Sequence, residues 1–338
     1  MSKRRLTQRQ LRQIRTRQAK RLSRVRAAQQ SAEAAGTALG PEQEGLVITR
    51  YGASAAVEEA QGALYHCVVR PNLGIVVCGD RVVWQRSGER EGVIVACMPR
   101  RSLLARPDYS GRMKPLAANI DEIVILAAPE PELSEGLIDR YLVASETIGI
   151  TPVILVNKID LLDAAGRAEL EERLRPYRDI GYRTLLASVR LEHGLDALIE
   201  QLNGRTSILV GQSGVGKSSL IKALLPDQDI RVGELSRTTG LGTHTTTRTT
   251  LYHLPGGGDL IDSPGVRSFG LWNVTPADVE RGFVEFRPYL GACRFSDCRH
   301  RVEPGCALQE AVREGKIHPR RLASYHNIVD SLRQMEKT

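Results

Sequence analysis

Between residues 45 and 98, apolar residues come in short runs separated by turn formers: Gly45–Arg50, Ala63–Arg70, Gly74–Cys78, Asp80–Gln85 and Gly92–Cys97. Closely spaced short strands of this kind predict a small barrel. The number of runs fits an OB-type barrel, with an SH3-like barrel as the alternative. The period then lengthens. Ile120–Ala127, Pro152–Val156, Arg183–Ala187 and Thr206–Val210 read as buried strands. Leu137–Ile148, Ala168–Leu174, Leu195–Leu202 and Lys217–Leu225 read as amphipathic helices between and after them. Such alternation predicts a parallel sheet covered by helices on both faces. Further strands fit at Arg248–His253 and Asp259–Ile261, and helical patterns resume after Pro276.

The expected architecture is therefore multidomain. A basic flexible arm spans 1–40 and an OB-fold domain 41–105. An α/β domain spans 112–275, and a helical domain 276–338. The stretch Arg100–Lys114 reads as a basic linker. No run approaches the ~20 apolar residues of a membrane span, and residues 1–40 carry no apolar signal-peptide core, so a cytoplasmic chain is expected.

Charge changes the picture at one end. The net charge is +8, but residues 1–26 carry eleven Lys or Arg and no acid, leaving 36 basic against 39 acidic residues elsewhere. The basicity belongs to an arm rather than to the whole surface. Such an arm on an otherwise mildly acidic chain points to nucleic-acid phosphates as its partner.

Gly211-Gln212-Ser213-Gly214-Val215-Gly216-Lys217-Ser218, followed by Ser219, sits between a buried strand and a helix. This is the context a phosphate loop requires. The glycines let successive N–H groups turn toward phosphate oxygens. Lys217 reaches the β- and γ-phosphates and Ser218 ligates Mg²⁺. Asn157-Lys158-Ile159-Asp160 follows another buried strand and resembles the guanine-specificity element of GTPases. A carboxylate such as Asp160 accepts two hydrogen bonds from the N1–H and 2-amino groups of guanine, donors that adenine lacks. Ser188, after the next strand, stands where GTPases place a further base loop, though Ser188-Val189-Arg190 departs from the usual Ser-Ala-Lys.

The order of these motifs is permuted: the guanine element precedes the phosphate loop. Downstream, Ser236–Thr250 reads as the first switch, with Thr246 toward Mg²⁺, and Asp262-Ser263-Pro264-Gly265 resembles the D-x-x-G element. Asp262 there holds Mg²⁺ through water, and the Gly265 N–H faces the γ-phosphate. This places the second switch directly before the C-terminal region, a route for transmitting loss of the γ-phosphate. Val266 occupies the position where many GTPases carry a water-orienting Gln. An aliphatic side chain cannot orient water, which leaves His244 as the candidate catalytic residue.

Cys293, Cys298, His300 and Cys306 supply three thiolates and an imidazole within fourteen residues, a full tetrahedral set for one structural Zn²⁺. Arg294, Arg299, Arg301, Lys316, Arg320 and Arg321 around and beyond it predict a second basic surface.

Taken together, the chain resembles the ribosome small-subunit-dependent GTPase A family (RsgA, also called YjeQ or EngC) over nearly its whole length. Asn157–Asp160, Gly211–Ser219, Gly242–Thr247, Asp262–Gly265 and the Cys/His set carry the resemblance. It implies a circularly permuted P-loop GTPase between an OB barrel and a zinc-binding helical domain. It also implies GTP hydrolysis stimulated by the 30S subunit during late maturation, contact with 16S rRNA, and a catalytic role for the counterpart of His244. A monomer that cycles between GTP and GDP is expected. The competing reading is a GTP-gated RNA-binding or assembly-chaperone module with incidental hydrolysis.

Overall fold

The structure is a computed structural model, and it describes residues 39–107, 112–226, 248–263 and 274–336. Nearly all of the basic arm, the first-switch segment with His244 and Thr246, and Gly265 with Val266 lie outside the described residues.

The first unit holds strands β1 (Glu42–Tyr51), β2 (Ser54–Glu58), β3 (Leu64–Val69), β4 (Arg81–Arg86) and β5 (Glu91–Cys97). They pair in the order β1-β2-β3-β5-β4, and β4 closes back on β1 through Glu42↔Gln85 to Leu46↔Arg81. The β3–β5 pair is parallel and the others antiparallel. A closed five-stranded barrel of this connectivity is the OB form, which settles the choice against SH3. Its interior is built on Trp84 with Val47, Val57, Tyr65, Val82 and Ile94. Gly45 and Gly92 make room for the indole, because a Cβ at either would come within 2.9 Å of it.

Two local expectations change. Gly74–Cys78 is not a strand: Gly74 and Ile75 are exposed, Val76–Cys78 are buried with Val76 in the barrel core, and Cys78 forms an isolated bridge to Ala117. The true second strand is Ser54–Glu58, whose Ser-Ala-Ala start has little intrinsic β preference. It is a strand because its two alanines and Val57 are small enough to fill the barrel wall with no exposure. Arg100–Lys114 is no linker. It contributes β6 (Leu103–Pro107) and β7 (Met113–Ala118), a separate antiparallel hairpin.

The central unit carries β8 (Glu122–Ala127), α1 (Glu135–Ile148), β9 (Thr151–Val156), α2 (Ala164–Asp179), β10 (Arg183–Leu186), α3 (Asp196–Leu202), β11 (Thr206–Gly211), α4 (Lys217–Leu224), β12 (Thr250–His253) and β13 (Asp259–Asp262). Their order across the sheet is β10-β9-β8-β11-β13-β12, with only β12 antiparallel. The near-continuous aliphatic runs Ile123–Ala127 and Val153–Val156 are what burial on both faces demands. Helix starts follow their caps: Ser134 Oγ accepts from the Leu137 N–H at 3.3 Å and Asp163 Oδ1 from the Gly166 N–H at 2.8 Å. Gly149, at φ 71°, ends α1 in the left-handed conformation.

The barrel joins this sheet edge to edge, through the pair Thr49↔Thr250 between β1 and β12. The C-terminal unit is helical: α5 (Pro276–Gly282), a 3-10 segment Val284–Tyr289, α6 (Ala307–Arg313) and α7 (Pro319–Glu336). Phe283, Phe286 and Tyr325 form its core. It packs on α1, where a Cβ at Gly282 would meet Val143 at 2.7 Å. Among the described residues, no helix is long and apolar enough to cross a membrane.

Candidate nucleotide site and metal cluster

Because β9, β8, β11 and β13 are adjacent and parallel, the loops that follow them emerge at one edge of the sheet, the usual ligand edge of α/β folds. Sequence-distant motifs therefore meet. The loop after β11 takes the conformation its glycines permit: Gly211, Gly214 and Gly216 have φ of 148°, 88° and 93°. Gly216 is the N-cap of α4, so Lys217, Ser218 and Ser219 form the first turn, whose N–H groups point into the site. A cleft of about 440 Å³ is lined by Lys158, Ser213, Gly214, Gly216, Lys217, Ser218 and Ser219. The Lys217 ammonium donates to the Gly211 and Gln212 carbonyls, each at 2.6 Å.

The guanine-type loop is locked to the phosphate loop. Asn157 is buried, and its Nδ2 donates to the Val215 carbonyl at 2.9 Å. Its Oδ1 is buried with no protein partner. A Cβ at Gly216 would lie 2.4 Å from that Nδ2, so the close approach requires glycine there. Lys158 turns the chain at φ 59° and donates through Nζ to the Glu130 carbonyl at 2.9 Å. The Ile159 N–H donates to Ala187 O at 3.3 Å, which brings the loop after β10 alongside. Ser188, also buried, donates through Oγ to Asp160 Oδ1 at 2.5 Å and accepts from the Arg190 N–H at 3.0 Å. Arg190 lies 3.7 Å from the other Asp160 oxygen. Ser188 is thus placed beside the guanine loop in spite of the departure at Val189 and Arg190. Asp262 ends β13 in register with Thr250, at the same edge of the sheet. A larger cavity of about 750 Å³, between Asp121, Thr151, Arg183 and Gln201, opens at the opposite ends of the strands and holds none of these residues.

In the C-terminal unit, one ligand atom each from Cys293, Cys298, His300 and Cys306 lies within 4.8 Å of the others. His300 Nδ1 is 3.5 Å from Cys293 Sγ and 3.3 Å from Cys306 Sγ. Tetrahedral ligands at ~2.0–2.3 Å from a metal stand roughly 3.5–3.8 Å apart, so the set fits one ion. The other ring nitrogen of His300 is 3.0 Å from Glu280 Oε1, a carboxylate that fixes the tautomer with Nδ1 free to ligate. Glu280 was invisible to motif spacing because it lies on α5, twenty residues upstream. The Ala307 N–H donates to Cys293 Sγ at 3.3 Å. Burial pushes the Cys298 thiol up to about 12, whereas at Cys306 burial is outweighed by the Gln309 N–H and His300, and the thiol is lowered.

The expected basic surface beside this cluster is only partly present. Arg301 is paired with Asp330 at 2.6 Å and Lys316 with Glu314 at 2.7 Å. Arg320 is bound to Glu135, and Arg321 is fully buried. The last two are docked into the central unit, since an internal carboxylate outcompetes water for a guanidinium that packing has already desolvated.

A phosphate loop, a guanine-type loop tied to it and a permuted strand order on an OB barrel define a circularly permuted P-loop GTPase. The comparisons with known proteins agree: residues 97–272 match the RsgA GTPase family. The chain is 48% identical to a protein of Proteus mirabilis, over 99% of this chain and 97% of that one. It is 51% identical to one of Pseudomonas aeruginosa, over 98% of each, and 52% identical to one of Azotobacter vinelandii, over 99% and 100%. All three are named Small ribosomal subunit biogenesis GTPase RsgA. Among solved structures it is similar to YloQ, described as a circularly permuted GTPase, with TM-score 0.70, 27% identity, and 87% and 96% of the two chains covered. YjeQ from Thermotoga maritima gives 0.72 and 30%, covering 86% and 99%. The chain belongs to the RsgA GTPase family and is a GTP-hydrolysing enzyme.

Proposed function

We propose that this GTPase binds the 30S ribosomal subunit, acts in its late maturation, and hydrolyses GTP faster when bound to it. The observation that carries this reading is the Asn157–Val215 lock between guanine and phosphate loops, in a chain matched end to end by relatives named for small-subunit biogenesis. Asp160 accepts from the guanine edge, Ser188 orients Asp160, and Asn157 braces the base against Gly214, Val215 and Gly216. Lys158 lies along the base. Gly211–Ser219 cradle the phosphates, with Lys217 exchanging its loop carbonyls for phosphate oxygens. Ser218, Thr246 and Asp262 would hold Mg²⁺, which would offset charge developing on the γ-phosphate. By the family resemblance, the Gly265 N–H would serve that phosphate and His244 the attacking water.

Cys293, Cys298, His300 and Cys306 hold one Zn²⁺ that stiffens a fold with a small core. The protein works as a cytoplasmic monomer. Its contact on the subunit is 16S rRNA, reached by the basic arm, the barrel at 41–105 and the helical domain at 276–338 on either side of the GTPase domain at 112–275. The test is GTP turnover with and without purified 30S subunits, in wild type and His244→Ala. Stimulation in the first and its loss in the second are expected. Equal rates with and without subunits would overturn the reading.

A further inference from the structure

Arg320 and Arg321, at the start of α7, do more than hold two units together. They contact the first turns of α1, which follow a short loop whose backbone touches the guanine and phosphate loops. That loop, residues 128–134, runs from β8 to α1. The Glu130 carbonyl accepts from Lys158 Nζ at 2.9 Å, and the Glu132 carbonyl from Gln212 Nε2 at 3.5 Å. Pro131 Cδ packs 3.4 Å from where Gly214 would carry a Cβ.

At its other end the loop is anchored by arginines. Arg173 of α2 donates to the Leu133 carbonyl and to Glu135 Oε1, both at 2.7 Å. Arg320 reaches the same Glu135 oxygen at 3.2 Å and the Arg173 carbonyl at 2.9 Å. One turn further along α1, Asp139 is fully buried and accepts from the Tyr177 hydroxyl at 2.9 Å and from Arg321. Arg321 also grips Glu285 at 2.6 and 3.2 Å and lies 4.4 Å over the Phe283 ring.

We infer that Arg320 is a positioning residue for guanine-nucleotide binding. It acts through Glu135 and Arg173 on the 128–134 loop, and through the Glu130 carbonyl on Lys158. The geometry offers Lys158 a second anchor that is independent of its own loop. That anchor stays in place only while α1 begins where the α7 arginines hold it. Arg321 sets the register of α7 on α1, and Arg320 sets the position of the first turn. Coupling of this kind is reciprocal, so whatever engages the helical unit shifts guanine affinity by the factor by which nucleotide shifts that engagement. The inference rests on the guanine-site reading. That reading fails separately if the wild-type protein does not prefer GDP to ADP.

The experiment measures the Kd for a fluorescent GDP and steady-state GTP turnover in the full-length protein, for wild type, Arg320→Ala, Arg320→Lys, Lys158→Ala and Arg320→Ala with Lys158→Ala. Arg320→Ala is expected to raise Kd by about 3- to 10-fold, the usual range of coupling through a packed network. The effect falls on Kd and KM rather than on kcat. Arg320→Lys recovers part of the loss, because an ammonium still reaches Glu135 but cannot also bond the Arg173 carbonyl. In the Lys158→Ala background, Arg320→Ala adds little, since the path has already been cut. A Kd unchanged in Arg320→Ala would overturn the inference. So would losses that add fully in the double variant, because a merely structural defect adds.

Discussion

Replacing Gly216 by alanine tests the joint between the two nucleotide loops. The residue has φ 93° and ψ 18°, where an L side chain costs about 1–2 kcal/mol. Its Cβ would also stand 2.4 Å from Asn157 Nδ2, and Asn157 is only 1% exposed. The amide has to give way, and its bond to the Val215 carbonyl goes with it. Losing one buried hydrogen bond and stranding its partners costs roughly 1–3 kcal/mol. Gly62 supplies the control, because its φ is 87° and nothing lies within 4 Å of its virtual Cβ. Gly62→Ala therefore carries the backbone term alone. Gly216→Ala is expected to lose about 2–5 kcal/mol of unfolding free energy in a denaturant titration. GDP affinity should fall by more than about tenfold, as Asn157 leaves the base edge. Equal stability losses in the two variants, together with unchanged GDP affinity in Gly216→Ala, would refute the claim that Asn157 braces the phosphate loop.

Three further outcomes are expected. Asp160→Asn removes the charged acceptor of both guanine donors, so GDP affinity measured by fluorescence should drop about 100-fold or more, with xanthosine diphosphate, whose edge suits an amide, binding better than GDP. Elemental analysis should find one Zn²⁺ per chain, and Cys298→Ser with Cys306→Ser should abolish it and lower the Tm. The third concerns pH. His253 bridges Asp259 of β13 at 2.6 Å and Glu58 of the barrel strand β2 at 2.5 Å, and these partners raise its imidazole from 6.5 to about 9. A folded value above the unfolded one means that the stabilisation is complete below pH 6.5 and is lost as pH rises through 9. With the side chain 33% exposed, about 1–2 kcal/mol is at stake after solvent screening. A His253→Gln variant should lack the corresponding fall in unfolding free energy between these limits.

The strand-helix alternation of the central unit was legible because strands buried on both faces leave long aliphatic runs, as in Val153–Val156, with little room for ambiguity. The phosphate and guanine loops were legible because their chemistry demands particular residues at fixed spacing. The metal set was legible for the same reason. The barrel was harder. Ala55 and Ala56 form a strand only because a neighbouring wall requires small residues, and that is a tertiary requirement. Val76 and Val77 are buried like strand residues, yet they lie in a loop: Val76 packs into the barrel core, and Asp80 Oδ2 accepts from the Val77 N–H at 2.7 Å. Arg320 and Arg321 misled most. Sequence reads consecutive arginines as a surface, and only the fold brings Glu135, Asp139 and Glu285 to them. Glu280 and the Glu130 carbonyl were missed because neither belongs to a spaced motif.

The permuted chain order led to one expectation that packing enlarges. Attachment of the helical unit after the Asp262–Gly265 element places it next to the second switch in sequence. Its described contacts, however, are to α1 and α2, elements that precede the phosphate loop and flank the guanine side of the sheet. The barrel does the opposite. It precedes everything in sequence, yet pairs with β12 and reaches β13 through Glu58 and His253. Each flanking module thus also grips a half of the GTPase from which it is distant in the chain, the barrel in addition to its contacts with the adjoining 117–119 segment. A structure bound at both modules would load the γ-phosphate side through β12 and β13, and the base side through α1. In an unpermuted chain, termini attached at one edge of the sheet would not by themselves give this two-sided hold. The covalent order supplies a tether after the Asp262–Gly265 element, and the Arg320–Arg321 contacts with α1 supply a separate path toward the Asn157–Asp160 loop.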